Sequence, residues 1–137
     1  MFATSPHSSA RDICWVKELA DRLGFFPNAN VALVNVRPEI RALLSLDDVQ
    51  LFERASVPLD VVIYCSDELA NVKRRVPVLS GFVRSGGRMW VGHPLPGSAL
   101  ATDVGSGDVA DIGKGAGLER QDSIDLGDWR LVGFVKL

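Results

Sequence analysis

Leu59-Asp60-Val61-Val62-Ile63-Tyr64-Cys65 is the stretch that decides the fold of this chain. It is short, almost wholly apolar and rich in β-branched residues, as expected of a strand covered on both faces. It runs into Ser66-Asp67, which predicts an N-cap pair, with Glu68 in the first turn of a helix. Leu69, Val72, Val76, Leu79 and Val83 then share one side of that helix, which should extend to about Arg84. Pro77 lies inside it and should kink or divide it. Ser85-Gly86-Gly87 reads as a turn, and Arg88-Met89-Trp90-Val91-Gly92 as the next strand. A buried strand, a helix and a second strand make a βαβ unit, and so a parallel sheet.

Towards the N-terminus the same alternation repeats. Ile13, Val16, Leu19, Ala20 and Leu23 follow helical spacing, and Gly24 stops that helix. Val31 to Val36 forms a second apolar strand, and Pro38 opens a helix through Glu39, Ile40, Leu43 and Leu44 that ends at Asp47 and Asp48. Val49 to Arg54 is a third strand, closed by the Pro58 break. Residues 1–10 read as a mobile tail, which leaves 11–137 as one domain.

Towards the C-terminus, His93-Pro94-Leu95-Pro96-Gly97-Ser98 reads as a loop whose prolines oppose regular structure. Thr102 or Asp103 is placed to cap a further, glycine-weakened helix. Ser123 to Leu126 and Trp129 to Val135 then read as a hairpin joined by Gly127-Asp128. The predicted architecture is a three-layer αβα sandwich: a mostly parallel, Rossmann-like sheet with a C-terminal antiparallel hairpin and a reversed strand at one edge.

Composition narrows the function classes. The 137 residues are 47% hydrophobic and 23% charged with a net charge of −2, which fits a globular domain and gives no global attraction to nucleic acid or membrane. Cys14 and Cys65 stand far apart with no CxxC pair, and read as reduced thiols. No secretory pattern or long apolar span occurs, so the expected location is cytoplasmic.

The order of elements resembles the class I methyltransferase fold. Asp60 to Tyr64 looks like its fourth strand, and Val83 to Val91 like the Gly-Gly turn and fifth strand. The stretch from Leu19 to Phe134 is similar to a small bacterial family of shortened methyltransferase-like proteins of unknown function. The Leu23-Gly24 turn, the Val31 to Val36 strand and the run from Trp90 through Thr102-Asp103 carry that likeness. The resemblance implies an S-adenosylmethionine site at the end of the first strand, with an acidic residue near the end of the second holding the ribose hydroxyls. Glu53 stands there, and Asn35 and Ser66 are the other candidate cofactor residues. The family's glycine-rich loop is missing: Val34-Asn35-Val36-Arg37-Pro38-Glu39 contains no glycine, so Arg37 and Pro38 fill the place where glycines make room.

Other motifs compete with plain structural roles. Gly105, Gly107, Gly113, Gly115 and Gly117 precede the hairpin instead of following a strand, so they read as a loose helix with a glycine stop. Lys73-Arg74-Arg75 reads as a solvated helix face. Cys65 is a candidate reactive thiol set against a buried inert one. His93 and Asp67 end neighbouring strands on the side where open α/β sheets bind ligands, and form a candidate acid–base pair. The alternative is that Asp67 caps its helix and His93 packs beside Pro94.

The sequence therefore leads to a non-enzymatic methyltransferase-like domain that binds a small molecule or a protein partner. The alternative is a divergent S-adenosylmethionine-dependent methyltransferase, and a third reading is a hydrolase or isomerase using His93 and Asp67. No metal spacing is present, no nucleic-acid or membrane partner is expected, and a homodimer through a sheet edge is possible.

Overall fold

A computed structural model describes residues 19–44, 46–54, 58–95 and 104–137. Its sheet has six strands in the order β2-β1-β3-β4-β6-β5. These are β1 (Asn30–Val34), β2 (Gln50–Phe52), β3 (Leu59–Cys65), β4 (Val83–Pro94), β5 (Leu118–Leu126) and β6 (Trp129–Lys136). β1 to β4 pair in parallel, whereas β6 runs antiparallel to both β4 and β5. The reversed strand is therefore not at the edge: the hairpin folds back so that β6 slots between β4 and β5.

Helices cover both faces. On one, α3 (Leu69–Ser80) and α4 (Ser106–Gly115) pack Val72, Val76, Leu79 and Val109 against Val62, Met89, Val91 and Phe134. On the other, α1 (residues 19–23) and α2 (Pro38–Arg41) pack Leu19, Leu23 and Ile40 against Val31, Val61, Ile63 and Trp90. Every residue of β3 is buried, as its apolar run requires. The expected tail, the start of the first helix and the caps Thr102 and Asp103 lie outside the described residues.

Several boundaries differ from the sequence reading, each for a local reason. α2 stops at Arg41 because the next N–H groups bond three residues back (Leu43 to Ile40, 2.9 Å; Leu44 to Arg41, 3.1 Å), tightening the chain into a turn. The N-cap of α3 is Glu68 and makes no side-chain cap bond, while Ser66 Oγ instead accepts the Glu68 N–H at 3.1 Å. Pro77 does not divide α3, which runs unbroken from Leu69 to Ser80 with the proline on its exposed side, away from the packed face. α3 ends at Ser80, and Val83, although in step with Leu79, pairs with Leu59 as the start of β4.

Ser85-Gly86-Gly87 is a bulge inside β4, because the stretch from Leu59 to Val61 faces that from Val83 to Arg88. Gly86 has φ +82, and a Cβ on Gly87 would lie 2.9 Å from the Asp60 carbonyl oxygen. His93 and Pro94 extend β4 and pair with Arg130 and Trp129, so they are not a loop. A proline is tolerated at that strand end. The expected Gly127-Asp128 turn is present, with Gly127 at φ +61.

β2 is only a three-residue edge strand, Gln50–Phe52, where Val49 to Arg54 was expected. Its brevity suits the link to β3. Phe52 lies level with Ala32, and Val61 level with Val31, and only six residues separate the two strands in sequence. Parallel strands ordinarily need a crossover of roughly a dozen residues or more, usually helical.

Candidate functional site

Ligands of open α/β sheets sit beyond the carboxyl ends of the parallel strands. Here those ends are Asn35 after β1, Glu53 after β2, Ser66 after β3 and Pro94 closing β4, with the start of β6 beside them.

Asn35 turns the chain out of β1 at φ +55, a left-handed conformation that Asn tolerates better than most residues. Its Nδ2 donates to the Cys65 carbonyl at 2.8 Å, which fastens the turn across to β3. Glu53 is exposed and held by a two-pronged bond to Arg41, at 2.9 and 3.2 Å. That hydrogen bond holds its carboxyl below the usual range. Ser66 is buried, and its hydroxyl is engaged by the Glu68 backbone.

Cys65 lies on the α1/α2 face, where burial pushes its thiol up to about 12. An Arg37 backbone N–H at the sulfur and the Arg37 charge oppose that rise, and Glu39 adds to it. The sulfur fills the space over Gly92, where a Cβ would lie 2.7 Å away. A protonated, enclosed thiol is a poor nucleophile.

His93 lies on the other face and is fully buried. Its Nδ1 is 2.9 Å from the Pro94 carbonyl oxygen, which only accepts, so Nδ1 carries the proton. Burial lowers its pKa below the ordinary imidazole value, with Arg130 acting in the same direction and Pro94 and Asp125 against it. The carboxylate whose charge reaches His93 is thus Asp125, itself clamped by Arg130 at 2.7 Å, whereas Asp67 is exposed at the loop after Ser66. The cross-strand row His93, Arg130, Asp125 follows from the β4–β6–β5 register, which sequence spacing does not disclose.

Sequence reading also missed Trp129 and Arg41, and took Arg37 only as filler. Arg37, half-exposed, places its guanidinium 6.0 Å from the centre of the Trp129 ring, so it reaches from the end of β1 to the start of β6. Trp129 is buried, and among the described residues its Nε1 has no hydrogen-bond partner. Among the described residues no group of three or more His, Cys, Asp or Glu side chains is placed to hold a metal, and no helix is long and apolar enough to cross a membrane.

Among solved structures, an O-methyltransferase family 2 protein from Planctomyces limnophilus, in complex with apigenin, superposes with a TM-score of 0.58 at 15% identity, over 99% of this chain and 63% of that one. The magnesium protoporphyrin IX methyltransferase of Synechocystis PCC 6803, with bound S-adenosylmethionine, gives 0.59 at 11% identity, over 96% of this chain and 80% of that one. The chain has the methyltransferase-like Rossmann fold. A [4+2]-cyclase, SpnF, matches it equally well (0.59, 11% identity, 93% of this chain and 82% of that one), so this fold is not confined to proteins named for methyl transfer. The chain spans under two thirds of the Planctomyces limnophilus protein, 63%, and of the pyocyanin biosynthetic protein PhzM, 55%. No family model and no curated protein matches the sequence.

The methyltransferase-like Rossmann scaffold gives a direct test of fit for S-adenosylmethionine. The ribose end fits: an exposed carboxylate stands after the strand next to β1, in acceptor-only form. At the amino-acid end Asn35 supplies the left-handed turn without a glycine, and the side chain crossing that region, Arg37, is cationic and half-exposed.

Proposed function

We propose that this chain is a divergent methyltransferase-like domain that binds a nucleoside ligand of the S-adenosylmethionine class at the carboxyl ends of β1 and β2. The observation that carries this reading is Glu53, an exposed carboxylate beyond the strand paired with β1, beside the Asn35 turn. Its oxygens are suited to accept from vicinal ribose hydroxyls. The bond to Arg41 is a surface ion pair of small net worth and is readily exchanged. When bound, S-adenosylmethionine supplies a methyl group on a sulfonium. Around it Asn35 fixes the β1 end to β3, and the enclosed Cys65 and its apolar neighbours keep water from beneath.

Calorimetric titration with S-adenosylmethionine and S-adenosylhomocysteine tests this. Binding should weaken at least tenfold, about 1.4 kcal/mol, in Glu53→Ala, and persist in Arg41→Ala. No binding at millimolar ligand overturns the reading.

A second reading is a non-enzymatic domain that acts through a protein partner. The Asn35 side chain on the Cys65 carbonyl and the Arg37 backbone N–H on the Cys65 sulfur, which tie down the β1 end, favour it. A second copy pairing through a sheet edge is a weaker form of it, because β2 is short and β5 presents exposed Glu119, Arg120 and Gln121. The same titration separates the two readings.

A further inference from the structure

We infer that Arg37 is the receptor for the carboxylate at the amino-acid end of that ligand, and that the face of Trp129 is its resting place when no ligand is bound. The inference rests on the nucleoside-binding reading above and adds the residue that replaces the glycine loop.

Arg37 leaves the chain two residues after the Asn35 turn, at the position where backbone would otherwise approach the ligand. Among the described residues its guanidinium has two charge contacts, neither of them a close two-pronged bond. It is 3.5 Å from Glu39, with both side chains about half-exposed (51% and 54%), and 6.0 Å from the Trp129 ring centre. An exposed ion pair is weak, and a cation–π contact whose cation stays half in water is worth less than a desolvated one. A two-pronged guanidinium–carboxylate bond is stronger and directional, so a ligand carboxylate competes well for this side chain.

Trp129 supplies the independent observation. It is 3% exposed, and its indole N–H is buried without a partner among the described residues, although buried donors are almost always bonded. Arg37 is the charged group lying over that ring. When Arg37 turns to a carboxylate it leaves the face of the Trp129 ring, so the surroundings of the unpartnered indole change with ligand capture.

The test compares S-adenosylhomocysteine with methylthioadenosine, which has the nucleoside but no amino-acid end. Calorimetry is combined with ¹⁵N–¹H spectra of the tryptophan indoles, with the Trp129 signal assigned by Trp129→Phe. S-adenosylhomocysteine should bind at least tenfold more tightly than methylthioadenosine and move the Trp129 indole signal, which methylthioadenosine should leave in place. Arg37→Ala should erase the tenfold difference while leaving methylthioadenosine affinity unchanged, and Arg37→Lys should retain part of it. Equal affinities for the two ligands, an unmoved indole signal, or a difference that survives Arg37→Ala overturns the role of Arg37 alone. Failure of both ligands to bind overturns the nucleoside reading and this inference with it.

Discussion

Arg22, at the end of α1, grips Asp122 on β5: Nη2 lies 3.0 Å from each carboxylate oxygen and 3.2 Å from the Ser123 carbonyl. The register of β5 against β6 shifts between Arg120 and Asp122, and this irregularity turns Asp122 towards the helix. The contact ties the start of the described chain to the outer strand of the C-terminal hairpin. Both side chains remain substantially exposed, 51% and 39%, so the pair fixes geometry more than it adds stability.

Asp122→Ala is therefore expected to cost only about 0.5–1 kcal/mol. Urea unfolding at low and high salt checks this. The loss should shrink at high salt, because exposed pairs are screened.

A larger effect is expected where the sheet has no room. A Cβ on Gly133 would lie 2.5 Å from the Trp90 ring, at Cζ3. Gly133→Ala should destabilise by roughly 1–3 kcal/mol through overpacking. Phenylalanine lacks the outer indole ring, so Gly133→Ala should cost clearly less in a Trp90→Phe background. Additive losses in the double-mutant cycle contradict this account.

His93 should make stability depend on pH. Its folded pKa is lowered, so the unfolded chain binds the proton first as pH falls. Its contribution is present above the ordinary imidazole pKa of about 6.5 and is lost as pH falls from there through the lower folded value. Unfolding free energy should decline in the window that opens as pH falls below about 6.5, with a shallower slope in His93→Gln. Identical slopes would remove His93 as the cause. Glu53 and Asp125 are both lowered from carboxylate values that already lie beneath this window.

Cys65 should resist thiol reagents. With its pKa raised to about 12, almost no thiolate exists at neutral pH, and the sulfur is enclosed. In a Cys14→Ser background, a disulfide reagent should label Cys65 only on denaturation. Labelling of the native protein within seconds contradicts the picture.

The parts of the fold legible in the sequence are those fixed by local chemistry. The run from Leu59 to Cys65 is apolar enough to be strand wherever it lies, and Gly24 and Gly127 take the positive φ that ends a helix and turns a hairpin. Boundaries failed where one pattern served two structures. Val83 continues the spacing of α3 but belongs to β4, and His93-Pro94 looks like a loop until β6 pairs with it. The site was legible only as positions along the chain: Glu53 and Asn35 stand at strand ends as expected. Their partners Arg41 and Cys65, and the meeting of Arg37 with Trp129, arise from strand order and register. Those depend on the whole sheet, not on any window of sequence.

The shortness of β2 has one more effect. Glu53 follows a strand held by only three residue pairs, Asn30–Gln50, Val31–Leu51 and Ala32–Phe52. Such an edge opens locally more readily than the buried centre of the sheet. A ligand gripping Glu53 must first keep this strand in place, and part of its binding energy is spent there. In return, occupancy would slow amide exchange along β2 without touching the core, making the shallowest strand the place where binding is felt.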